Sequence, residues 1–162
     1  MSDNSELIKK FRAAAITFID LVDAASHLDT EVFLAKVSHC MAELYSIALT
    51  LPAVEPDTTG TDDATFHADK ELELYRSLRE KIGIFDMYWT ICDFTEKQEA
   101  ARGSLARDIS EIYFDLKQNL RLEKSGATQR DLLFDWRLDF RTHWGRLLLN
   151  ALTAIHHRYI GE

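Results

Sequence analysis

The stretch from Thr128 to Tyr159 contains no proline and a single glycine, Gly145, so nothing in it forces the chain to leave a helix. Thr128 is placed to cap its start with Asp131 three residues on, and Gly161 lies just past its end, where a left-handed residue is tolerated. Between those signals Leu133, Trp136, Phe140, His143, Leu147, Asn150 and Ala154 recur at spacings of three and four, flanked by Trp144, Leu148, Ala151 and Ile155. The pattern predicts one broad buried stripe on one helix. At 1.5 Å per residue such a helix spans about 45 Å, against roughly 30 Å for one of 20 residues. Shorter helices must therefore pack around it.

The rest of the chain supplies them. An amphipathic segment from Ser2–Ser5 to about Ala25 carries Leu7, Phe11, Ala14, Phe18 and Val22 on one side. Asp29 is a good N-cap for a second helix bearing Phe33, Val37, Cys40, Met41, Leu44, Ala48 and Leu51. That helix must stop near Pro52, because proline disfavours helical geometry in the residue before it. A third, from about Ala68 to Ile82, shows Leu72, Tyr75, Leu78 and Ile82 on one face, with Gly83 as its left-handed terminator. Ser104 caps a fourth, in which Leu105, Ile109, Ile112, Leu116 and Leu120 step by three and four and which ends at Gly126. Residues 84–94 are rich in aromatic and β-favouring side chains. A strand there has no evident partner, so an irregular or short helical stretch packed on the bundle is expected, with Glu96–Ala101 adding a helical turn. The expected fold is all-α: one domain over residues 1–162, a bundle of about five helices with the long C-terminal one central.

Charge and composition narrow the function classes. The net charge of -8 is concentrated in residues 1–83, which carry 8 Lys and Arg against 15 Asp and Glu. An acidic surface repels phosphate backbones and acidic membrane faces, so nucleic-acid and membrane partners are not expected. The longest apolar run falls far short of a membrane span, and the N-terminus lacks a basic region followed by an apolar one, which points to the cytoplasm. Cys40 and Cys92 sit in apolar patterns without metal spacing and read as buried free thiols. Residues 52–69 form a long polar, acidic loop whose carboxylates do not follow the spacing of a calcium-binding loop.

Chemistry is harder to find. His143 and Asn150 fall within the apolar stripe, and burying them without partners would cost about 1–3 kcal/mol each. Asp139, one turn before His143, is placed to orient the imidazole, and the simpler alternative is a core histidine hydrogen-bonded to a backbone carbonyl or to an aspartate on another helix. Asp108, Glu111 and Asp115 share one flank of the fourth helix, a spacing that also suits a solvated face. The Glu-x-x-His pairs of di-metal bundles are missing, so no metal or other cofactor is expected. No Gly-x-Ser-x-Gly turn marks a nucleophile, and no catalytic residue is assigned. Trp136, Trp144, Trp89, Tyr88 and Tyr113 would line an apolar pocket with Asp86, His143, Asn150 and Arg141 as polar anchors.

Several of these segments together resemble a known family. They are Asp86-Met87-Tyr88-Trp89; Gly103-Ser104-Leu105-Ala106-Arg107-Asp108-Ile109 leading to Ile112-Tyr113-Phe114-Asp115; Trp136 to Phe140; and His143-Trp144-Gly145 with Ala151, Leu152 and His156. In order and spacing they are similar to domain of unknown function 5063, a family of small bacterial proteins. The resemblance implies a single helical domain and brings no catalytic residues. In the family's pattern a second histidine often stands four residues after the first, where this chain has Leu147.

Two function classes follow. The first is a non-enzymatic helical module that acts through a protein partner or self-association. The second is a small-molecule binder or enzyme with a pocket around His143, Trp144 and residues 86–94, using Asp86, Tyr88, Trp89, Asp108, Trp136, Asp139 and Asn150.

Overall fold

The computed structural model describes residues 2–57, 68–93 and 95–160. Most of the acidic loop, residues 58–67, lies outside that range, as do Phe94 and Gly161. The apolar spacings fold into α1 (Ser2–Asp23), α2 (Thr30–Ala48), α3 (Ala68–Ile82) and α4 (Leu105–Lys124). A C-terminal rod follows, comprising α5 (Gln129–Asp139), a wide π-turn over Phe140–Trp144, α6 (Gly145–Ile155) and a second π-turn over His156–Ile160. The expected all-α bundle is what forms. α1 packs chiefly on α2, α3 on α4, and α6 on both α2 and α4. Phe11, Phe18, Phe33, Met41, Ile109, Leu116, Trp136 and Trp144 are fully buried in one core. Phe11 of α1 stacks on Trp136, ring centroids 4.5 Å apart.

Helix ends follow the chain's capping residues. The Ser104 hydroxyl accepts from Arg107 N, and the Thr128 hydroxyl from Asp131 N. Asp29 occupies the N-cap of α2 without a side-chain bond to the helix. Gly83 and Gly126, at φ 62° and 87°, take the left-handed geometry that ends α3 and α4.

Residues 84–93 depart from the expectation for 84–94, of which Phe94 lies outside the described residues. A 3₁₀ turn over Gly83–Phe85 leads into β1 (Met87–Thr90), which pairs antiparallel with β2 (Ala101–Ser104), so Glu96–Ala101 adds no helical turn. The partner strand went unrecognised because Ala-Arg-Gly-Ser has no β-favouring residue. Its glycine explains the pairing. Tyr88 stands opposite Gly103 with its ring across the glycine, where a Cβ would come within 2.3 Å of Tyr88 Cζ. The ribbon is joined to α4 by Asp86, whose Oδ1 accepts from Ala106 N and the Ser104 hydroxyl, both at 2.8 Å, while its carbonyl accepts from Leu105 N. Cys92, expected buried, is exposed; Cys40 is half-buried, and both thiols are free.

The rod also differs from a uniform helix, and the difference decides where His143 goes. At roughly 100° per residue, the eight steps from Trp136 to Trp144 would leave the two rings about 80° apart on an α-helix. The π-turn accommodates one extra residue, bringing the offset back to about 20°. Both indoles therefore enter the core, and the buried stripe runs Trp136, Phe140, Trp144, Leu147, Leu148, Ala151 and Ile155. His143 leaves the stripe with 46% of its side chain exposed, and Asn150 sits at the stripe's edge facing the Thr90 hydroxyl at 3.3 Å. Gly145 is what the wide turn requires. A Cβ there would lie 2.4 Å from the Phe140 carbonyl oxygen, to which Gly145 N donates.

Alanine in place of a helical glycine ordinarily stabilises by about 1 kcal/mol. Gly145→Ala is expected to destabilise instead, by about 1–3 kcal/mol, because backbone must move to admit the methyl. Urea denaturation of the two proteins checks the sign.

Candidate functional site

The polar chemistry gathers along α4. Spacings of three and four place Asp108, Glu111 and Asp115 on one side of the helix, but that side is not the solvated face its composition suggests. α3 and the π-turn both pack on α4, and Asp108 is only 6% exposed. The Tyr88 hydroxyl donates to Asp108 Oδ2 in a buried, short contact. Two helical turns on, His143 Nδ1 lies 2.5 Å from Asp115 Oδ2, and its Nε2 faces Glu111 Oε2 at 3.5 Å. Arg107 Nε donates to Glu111 Oε1 at 2.7 Å. Asp115 rather than Asp139 orients the imidazole, because the π-turn rotates His143 off the face that Asp139 shares.

Burial and neighbouring charges shift Asp108, Asp115, Asp139, Glu71 and His143 toward holding protons. Burial pushes Asp108 up to about 7, with Glu111 and Asp86 adding to the rise and the Tyr88 hydrogen bond opposing it. Burial, then Asp115 and Asp135, push Asp139 up to about 6. Glu71, which α3 turns toward the same cluster, is raised by burial and then by Glu111 and Asp115. Burial raises Asp115 despite its bond to His143. For His143 burial favours the neutral ring, but the Asp115 bond and the charges of Asp115, Glu111 and Asp139 outweigh it, so its pKa rises. The result is an imidazole gripped between two carboxylates and open to solvent, which suits it to holding or passing a proton. Among the described residues no group of three or more His, Cys, Asp or Glu is arranged to hold a metal ion.

Other residues of the expected pocket are placed apart. Asp86 is a helix-capping carboxylate, 1% exposed and occupied by Ser104 and Ala106. Trp136 and Trp144 are core, with Trp136 Nε1 donating to the Asn119 carbonyl at 3.1 Å. Tyr113 is buried, and its hydroxyl donates to Asp23. Trp89 points outward, 70% exposed, with Arg141 also at the surface. Glu71 and Arg107 also belong to the cluster: the i,i+4 spacing of Arg107 and Glu111 could have found the second, whereas Glu71 lies on a helix far from His143 in the chain and only tertiary packing joins them.

The profile of Domain of unknown function (DUF5063) matches residues 2–160. The chain belongs to this family. No curated protein matches the DUF5063 chain by sequence. Among solved structures it is similar to protein BF1032 from Bacteroides fragilis, with a TM-score of 0.78, 20% identity, and coverage of 93% of this chain and 90% of that one. At that identity the likeness establishes the shared fold alone.

The raised groups have one thermodynamic consequence. A carboxylate whose folded pKa lies above its unfolded value of about 4 costs stability while ionised, and that cost is relieved as pH falls through the folded pKa. His143, also raised, contributes stability below its ordinary pKa of about 6.5, which is lost as pH climbs through the folded value. Both effects have the same sign, so Tm is expected to rise by several degrees from pH 8 to pH 5.5. Asp108→Asn should flatten this slope and raise Tm at pH 8, since an amide oxygen still accepts from Tyr88. Scanning calorimetry across that range checks both.

Proposed function

We propose that this DUF5063 chain is a protein-interaction module that docks a partner protein through the outer face of the β1–β2 ribbon, with Trp89 as its anchor. The observation that carries this reading is the setting of Trp89. Its ring is 70% exposed although it sits on a regular strand and not on a loose loop. Trp89 stands opposite Arg102, whose guanidinium lies 5.9 Å from the ring centroid. From below, Tyr88 fixes the ribbon to α4 through Asp108; from the side, Arg158 donates to the carbonyls of Ile84 and Met87. Ile84, in the turn that leads into β1, is also 86% exposed. Tryptophan and arginine on a rigid support are the side chains that most often carry binding energy at protein interfaces. The reading places the module in the cytosol, in keeping with its two free thiols.

A photo-crosslinking residue at position 89 tests it in cells. A discrete adduct is expected, without the same adduct from position 49, where Leu49 is also exposed but lies at the end of α2. An adduct of twice the chain's mass would name a second copy as the partner. With the partner in hand, Trp89→Ala should weaken binding by about 30-fold or more, the loss of a 2 kcal/mol anchor. It should leave Tm nearly unchanged. No discrete adduct at 89, or an identical one at 49, would sink the reading.

A second reading, a small-molecule or acid–base site at His143, draws support from the Asp115–His143–Glu111 arrangement. A thermal-shift screen of cationic metabolites addresses it. A ligand at a hundred times its Kd adds about 2.7 kcal/mol of stability, and the shift should vanish in His143→Gln.

A further inference from the structure

α3 is fastened to the body unevenly. Leu78 and Ile82, in its C-terminal half, are 1% and 2% exposed, whereas none of residues 69–77 is buried. Along that N-terminal half the layer between α3 and α4 is charged on one flank and open on the other. The charged flank brings Glu71 of α3 to Glu111 and Asp115 of α4 and to His143. On the open flank a groove of about 380 Å³ runs between the two helices, lined by Leu74 and Ser77 on one side and Tyr113, Phe114 and Lys117 on the other.

We propose that the N-terminal half of α3 is a proton-operated lid on α4: it lies closed when the Glu71, Glu111, Asp115 and His143 cluster holds protons, and lifts when the cluster loses them. The groups facing the cluster fix the direction. α3 contributes Glu71 and Tyr75; α4 contributes Arg107, Asp108, Glu111 and Asp115; α5 contributes Asp135 and Asp139; the π-turn contributes His143, and α6 contributes Arg146. With the cluster deprotonated, the carboxylates of Glu71, Glu111, Asp115 and Asp139 share a half-buried seam with a neutral imidazole. Arg107, already bonded to Glu111, is left as their main counter-charge. With protons bound, His143 becomes a cation and part of the carboxylate charge is cancelled, so repulsion across the seam gives way to attraction. His143, raised above its ordinary value by the carboxylates around it, and Asp139, pushed up to about 6 by burial, set the pH range of this exchange, and burial shifts Glu71 in the same direction. The residues C-terminal to Ser77 do not lift, because Leu78 and Ile82 hold them in the core. Opening uncovers Tyr75 and Phe114, so the device gates an apolar strip remote in sequence from Trp89.

Hydrogen exchange of the full chain, read by mass spectrometry at pH 5.5 and pH 8.0 and corrected for intrinsic rates, tests the lid. Protection of residues 69–77 is expected to fall about tenfold or more at pH 8.0, beyond any change in α1 and α6, because sub-global opening involves only the elements that move. Glu71→Gln removes the α3 charge from the seam and should keep residues 69–77 protected at both pH values. Equal protection of this segment at the two pH values would overturn the proposal. So would a loss spread uniformly along the chain, which reports global stability, or a pH dependence that survives in Glu71→Gln.

Discussion

The bond from Gly145 N to the Phe140 carbonyl, one residue longer than an α-helical bond, sets the phase of everything C-terminal to it. Because of it, two tryptophans eight residues apart share one interior. Phe11 stacks on one of them and tilts at 6.3 Å against the other. The same change of phase carries His143 outward to Asp115. The hydrophobic centre and the titratable cluster are thus two outcomes of a single widened turn, and a glycine is the only residue that leaves room for it.

Asp86 performs the corresponding service at the other end of α4. Its carboxylate satisfies Ser104 and Ala106 while its carbonyl receives Leu105, so the helix start and the ribbon are held as one unit. Tyr88, fixed over Gly103, then reaches Asp108 from the ribbon side. A two-stranded ribbon is marginal in water by itself. Here its inner face is tied to the helix it introduces, which leaves the outer face with Trp89 and Arg102 free of structural duties.

The helices were legible because burial on one side imposes a period of three to four residues, and capping residues mark where that period begins and ends. Ser104, Thr128, Gly83 and Gly126 all act where their chemistry placed them. The ribbon was not legible. Its second strand is held by a ring lying over a glycine, a tertiary fact without a local signature. The π-turn was hidden for a related reason: a period read across 128–159 assumes constant phase, and one extra residue moves His143 from inside to outside. Of the candidate site, the carboxylate spacing on α4 could be read directly, and so could the need of His143 for a partner, but local spacing points to Asp139 on its own helix whereas the partner is Asp115, an aspartate on another helix. Asp86 and Trp136 read in the sequence as pocket residues, yet the first closes a helix and the second fills the core.

The three indoles of this chain occupy two optical worlds. Trp136 and Trp144 sit without solvent contact beside Phe11 and Phe140, where emission is blue-shifted, whereas Trp89 stands in water next to a guanidinium, where emission is red and open to quenching by iodide or acrylamide. Fluorescence from the unlabelled protein therefore divides by wavelength into a channel for the bundle and a channel for the ribbon.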